Sequence, residues 1–144
     1  MRRIRLLLRL TPQEQGLLIR TTLLVAAVRI ALWTLPFAYI CRWLNRQRPG
    51  ARGLAVIPVK SLAWAVATAA RRIPRASCLT QALALQYLLA RAGKSAQLHI
   101  GVAKIASGGF ESHAWVGRRG EILLGDNGEL DRYSPMLTLS TEEI

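Results

Sequence analysis

The sequence predicts an α+β fold, in which helices precede an antiparallel sheet, and three observations carry that expectation. The stretch from Thr11 to Pro74 reads as apolar helical segments broken by Pro and Gly. "ASCLTQALALQYLLARAGK" then has the leucine spacing of a helix, with apolar residues recurring every three or four positions. After it, "AQLHIGVAKI", "FESHAWVG" and "EILLGD" alternate as strands do and are separated by "ASGG" and "RRG", which reads as a meander behind a helix.

The 144 residues suffice for one modest domain with an appended helical piece. Apolar residues form 51% of the chain and charged residues 19%, which excludes a disordered or low-complexity protein. The charge is lopsided. Residues 1–75 hold 14 Lys or Arg against the single acid Glu14, a net +13, whereas residues 76–144 hold six against seven acids. Such a half can meet nucleic acid, anionic lipid or an acidic protein. No basic cluster interleaves with stacking aromatics and no zinc-finger spacing is present, so nucleic acid is not an expected partner. Two cysteines 37 positions apart make no disulfide framework, and without a visible secretory signal a cytoplasmic location is the expectation.

Element by element, "MRRIRLLLRL" is a basic-apolar lead. Thr11 is an N-cap, with Pro12 at the first helical position and Glu14 three residues on, close to a capping box. The helix begun there is expected to run to about Leu35, with Leu17, Leu24, Val28, Ala31 and Leu35 near one face. Arg20 and Arg29, nine residues apart, point about 180° from each other. It has no single wet face and is expected to pack on two sides or against a partner. Arg29 at the centre and Pro36 near the end of "TTLLVAAVRIALWTLPFAYI" argue for a buried or interfacial helix over a spanning one, and membrane association is not expected. "CRWLNRQRPGARG" closes a second short helix and marks a boundary, giving a basic helical region over 1–50 and a core over 51–144. "IPVKSLAWAVATAARRI" is a further helix, ended near Pro74. Ser77 caps the next, which stops at Gly93. "RYSPMLTLSTEEI" is either an edge strand or a trailing end.

Cys78 opens the Ser77-capped helix, and the positive end of a helix favours a thiolate over a thiol. The plainer reading is a small buried hydrophobe, which is the expectation for Cys41. A two-residue turn at Arg119-Gly120 would pair residues whose numbers sum to 239, placing Asp126 beside His113 on one face of a hairpin. Cys78, His113 and Asp126 would then supply nucleophile, base and orienting carboxylate for acyl transfer. On spacing alone His113 can equally be a satisfied strand histidine, with Asp126-Asn127-Gly128 only a turn. His99 is a competing base, expected to face solvent or to back the site from behind. A zinc site from His99, His113, Cys78 and Asp126 lacks close ligand spacing, so no metal and no cofactor are expected.

"SCLTQALALQYLLARAGKSAQLHIGVAK" followed by "FESHAWVGRRGEILLGDN" resembles the transglutaminase-like cysteine proteases of lasso-peptide biosynthesis, over roughly residues 70–135. The most specific pieces are Cys-Leu opening a leucine-rich helix, the "IGV" strand and "F..HAWV" before a glycine turn. The basic helical stretch "LTPQEQGLLIRTTLLVAAVRIALW" matches the region that precedes the core in that family. The resemblance implies a papain/transglutaminase-like core in which a catalytic helix packs on an antiparallel sheet. It also implies a Cys78-His113-Asp126 triad and removal of a leader peptide from a ribosomally made precursor. The implied partners are that precursor peptide, a small leader-recognition protein and a lasso cyclase; the basic half is then either a docking surface for one of the two proteins or a helical layer that covers the back of the core. Two departures stand out: Gly117 replaces an acidic residue common in the family, and "AARRIPRAS" offers no Gln or Asn before Cys78 to complete an oxyanion hole. The Cys78 N–H is one donor, and Gln81 is the candidate for the other. The alternative function is a catalytically silent transglutaminase-like scaffold that binds peptide within a maturation complex.

Overall fold

A computed structural model describes residues 11–50, 52–74 and 76–141. The basic-apolar lead expected over 1–10 and the last residues of the C-terminal segment lie outside the described residues. Among the described residues five helices come first: α1 (Pro12–Thr34), α2 (Phe37–Asn45), the single turn α3 (Arg52–Ala55), α4 (Val59–Ala70) and α5 (Cys78–Ala92). Four strands follow: β1 (Ala96–Ile105), β2 (Gly109–Arg118), β3 (Glu121–Leu124) and β4 (Ser134–Thr141), with a 3-10 turn at Leu130–Arg132. The fold is α+β.

Local chemistry sets the boundaries. Thr11 and Glu14 form the expected capping box: the Thr11 hydroxyl accepts the Glu14 N–H, and the Glu14 carboxylate accepts the Thr11 N–H. Pro36 stops α1 because a proline disfavours helical geometry in the residue before it. Ser77, in extended geometry, caps α5, and Gly93 ends it with φ +74°, a conformation that costs glycine nothing.

The strand order is β3-β2-β1-β4, and every neighbouring pair is antiparallel. The C-terminal segment is thus a strand that returns to pair with β1 at the far edge. Pro135 is tolerated there because an edge strand has one row of N–H groups with no ladder to feed.

Leu98, Ala114 and Val116 face α5 and share one core with Leu83, Leu85 and Leu89 of that helix, with Leu62 and Val66 of α4, and with Leu18 and Val25 of α1. At about 25 cal/mol per Å² of apolar surface, this shared burial is the principal force holding the helices to the sheet. The buried side of α1 is rotated from the expected stripe. Leu18, Thr21 and Val25 are the fully buried residues, because α1 packs against both α4 and α5. The expected stripe residues Leu24, Val28, Ala31 and Leu35 instead line a cleft of about 250 Å³ shared with α2 and α5.

The other face of the sheet carries a smaller cluster of Ala103, Trp115 and Tyr133. Gly101 makes room for it, since a Cβ there would lie 2.7 Å from the Tyr133 Cβ. Gln86, fully buried on α5, fastens helix to sheet by donating from Nε2 to the carbonyls of Ala96 on β1 and Leu139 on β4.

Candidate active site

Cys78 is the first residue of α5. The Thr80 N–H is taken by Ser77 Oγ at 3.2 Å and the Gln81 N–H by the Ser77 carbonyl at 3.1 Å. The cap therefore leaves the N–H groups of Cys78 and Leu79 as the helix-end donors next to the thiol. Leu79 was not among the expected oxyanion donors; counting which N–H groups a serine cap satisfies would have found it. Gln81, half-buried one turn along, is the candidate that sequence supplied. The Cys78 side chain is itself half-buried and packs against the core on the α5 side.

His113 lies near the middle of β2, directly opposite Gly101 of β1. Successive residues of a strand point to opposite faces. Ala114 and Val116 face α5, so His113 and Trp115 face away from it. The His113 ring lies 6.0 Å from Trp115 and 5.4 Å from Tyr133, centre to centre. Its Nε2 is 2.5 Å from the Gly125 carbonyl oxygen. A carbonyl can only accept, so Nε2 carries the proton, which leaves Nδ1 as the nitrogen that holds the lone pair in the neutral ring.

The turn at Arg119-Gly120 forms as expected, with φ +51° and +80° at its two residues. Arg118 pairs with Glu121 and Gly117 with Ile122, both summing to 239, but the next pair is Val116 with Leu124. One extra residue in β3 makes a bulge, and the ladder ends there. The expected pairing of His113 with Asp126 therefore does not form. Gly125, at φ +91° and close against Ala114 and Trp115, brings its own carbonyl to the imidazole instead. Asp126 is exposed one residue further on, where its Oδ1 accepts the Gly128 N–H at 2.9 Å. Asn127 does the same for the Glu129 N–H, so the segment is a pair of side-chain-closed turns. Among the described residues no hydrogen bond joins His113 to Cys78 or to Asp126.

A polar network that the spacing argument missed borders the histidine. The Tyr133 hydroxyl donates to Glu111 Oε1 at 3.1 Å and receives the Asn127 amide at 3.3 Å, while Arg132 is ion-paired to Glu111. Strand alternation alone would have placed Glu111 on the His113 face, two residues away. Tyr133, which comes from the turn before β4, had no such signal. His99 lies on the other side of Trp115, its ring 5.5 Å from the indole and its Nδ1 3.1 Å from Thr138 Oγ1. Burial pushes its pKa below the ordinary imidazole value. Burial also pushes the Cys41 thiol up, away from thiolate character.

A helix opening on cysteine is thus packed on an antiparallel sheet whose second strand carries the histidine. The profile of the transglutaminase-like superfamily matches residues 22–138. The chain belongs to that superfamily. No curated protein and no solved structure matches it. The transglutaminase-like superfamily includes cysteine proteases, and the fold is compatible with that chemistry. The matched span begins within α1 and ends within β4, so the superfamily unit takes in most of the N-terminal helical layer as well as the helix and sheet that carry Cys78 and His113.

Proposed function

We propose that the chain is a thiol peptidase that removes the leader from a ribosomally made lasso-peptide precursor. The observation that carries the reading is Cys78 at the first position of a serine-capped helix in a transglutaminase-like domain. In this reading His113 Nδ1 takes the Cys78 proton and the thiolate attacks the carbonyl at the leader-core junction. The N–H groups of Cys78 and Leu79 meet the developing oxyanion. The C–N bond then breaks, His113 returns the proton to the departing amine of the core peptide, and water releases the leader as a carboxylate. Asp126, the expected third member, acts on the imidazolium only as a carboxylate one residue beyond Gly125, its Oδ1 being held by the Gly128 N–H. The Gly125 carbonyl supplies the orienting hydrogen bond. The step requires the Cys78 thiol and the His113 ring to come within hydrogen-bond reach of each other, an approach that the free chain does not make. A leader-recognition protein and a cyclase are the partners on either side of this step.

The test is cleavage of precursor by the purified chain with its recognition protein. Cys78→Ala and His113→Ala are expected to abolish it, with Cys78→Ala keeping the wild-type melting temperature. Asp126→Asn is expected to slow it without abolishing it. Cleavage by Cys78→Ala at the wild-type rate would end the reading. One observation favours a second reading, a peptide-binding scaffold without catalysis: the His113 ring is on the face of the sheet away from α5. Leader binding by wild type with no cleavage under any condition would select it.

A further inference from the structure

Helix α1 is apolar on three sides, and only two of them are accounted for. One is buried against α4 and α5, and the second lines the cleft shared with α2. The third faces outward: Ile19, Leu23, Ile30 and Trp33 are 63%, 67%, 59% and 82% exposed. At 100° per residue these four lie within an arc of roughly 80°, with Ile19 at its centre. An uncovered stripe of this kind on a soluble surface marks a contact. No other element covers it among the described residues.

The occupant is indicated by charge. Arg20 flanks the stripe on one side and Arg29 on the other, each roughly 80–100° around the helix from its axis. Long arginine stems can lie along apolar surface while the guanidinium reaches a polar layer above it. The first 75 residues carry a net +13, including Arg2, Arg3, Arg5 and Arg9 just before the helix. Trp33 closes the stripe at its C-terminal end, 82% exposed. Apolar residues at the centre, cations at the margins and an amphipathic aromatic at the end match the layers of a bilayer surface with anionic headgroups. A second copy of the chain fits poorly, because apposing two such faces would bring Arg20 and Arg29 against their own kind. Spanning also fits poorly. The helix has the length and a mean hydropathy of 1.7 over its most apolar stretch, but crossing a membrane would withdraw Leu18 and Val25 from the core.

We propose that the outer face of α1, Ile19-Leu23-Ile30-Trp33 with Arg20 and Arg29, seats the protein on an anionic lipid surface, with α1 lying in the interface plane. The probe is flotation of the full chain with vesicles of phosphatidylcholine alone and of phosphatidylcholine with phosphatidylglycerol. The expected result is flotation with the anionic vesicles only, reversed by high salt, with a blue shift of Trp fluorescence that Trp33→Phe diminishes. Leu23→Glu combined with Ile30→Glu alters exposed positions alone and should keep the thermal transition. It is expected to weaken vesicle binding by at least about tenfold, as should Arg20→Glu with Arg29→Glu. Absence of flotation with anionic vesicles, or flotation of the Leu23→Glu/Ile30→Glu protein equal to wild type, would overturn the proposal. So would a dimer that this pair of substitutions splits while vesicles bind neither protein, since the face would then belong to a second copy.

Discussion

Gly125 is where the site can be perturbed with the sharpest expectation. Its φ of +91° is a conformation that a side chain resists, and a Cβ would lie 2.8 Å from the Ala114 carbonyl oxygen, 2.8 Å from the Trp115 Cβ and 3.0 Å from the Trp115 Cα. Two of these three are backbone atoms of β2 and the third is the first side-chain carbon, so none can swing aside. The left-handed conformation costs alanine about 1–2 kcal/mol, and forcing a methyl into closed packing costs about 1–3 kcal/mol more. Gly125→Ala should therefore lose roughly 2–5 kcal/mol, a large share of the 5–15 kcal/mol typical of a domain, and melt roughly 6–15 °C lower. Gly128→Ala is the control, because its φ is +77° but nothing lies within 4 Å of a Cβ there. Conformation alone should cost it about 1 kcal/mol, roughly 3 °C. Calorimetry gives the difference between the two, which is the cost of the close approach. Long-range nitrogen-proton correlation on the imidazole gives the chemical consequence: His113 is expected to hold its proton on Nε2 in wild type and to lose that preference in Gly125→Ala. If Gly125→Ala melts with Gly128→Ala and leaves the His113 tautomer unchanged, then Gly125 does not hold the imidazole.

Three further outcomes are expected. With burial pushing up its thiol, Cys41 should be the slower of the two cysteines to alkylate at neutral pH and should gain rate as pH rises, which mass spectrometry of peptides labelled over a pH series would show. His99, with its pKa lowered by burial, binds fewer protons folded than unfolded just below the ordinary value of 6.5. Stability should therefore rise with pH through that window, and His99→Gln should flatten the slope in denaturant titrations. Gln86→Glu would set a carboxylate against the Ala96 and Leu139 carbonyls in a buried place and should cost about 3 kcal/mol or more at neutral pH. That loss should diminish as pH falls and the acid protonates, because the folded state holds the proton more tightly than the unfolded chain.

The parts of the fold legible in the sequence are those fixed by neighbours along the chain. The Thr11-Glu14 box, the Ser77 cap, the Gly93 stop and the Arg119-Gly120 turn each rest on residues a few positions apart. The buried side of α1 could not be read that way. The helix is apolar on more than one side, and the choice of Leu18 and Val25 over Leu24 and Val28 for burial is made by where α4 and α5 stand. The hairpin register was legible for its first two pairs and failed at the bulge, where the requirement to fit Gly125 under Trp115 outweighs continuation of the ladder. That failure matters for function, since it exchanges a carboxylate for a carbonyl on Nε2. The Glu111-Tyr133-Asn127 network was hidden because its members come from a strand, a turn and the approach to β4, linked by tertiary structure alone.

The sheet order has a consequence for how the molecule is assembled. One of its two interior strands, β1, is flanked by its immediate successor and by β4, the last of the described strands. A chain emerging from the ribosome can close β1 on β2 early, but one whole edge of β1 stays bare until the residues from Ser134 onward arrive. During that interval β1 is an open template for foreign strands. Gln86 reports the gap from inside the core: its two acceptors belong to β1 and β4, so one of its donors has no acceptor from β4 until the final strand docks. Truncation before Ser134 would make that interval permanent, converting a transient edge into a standing aggregation site.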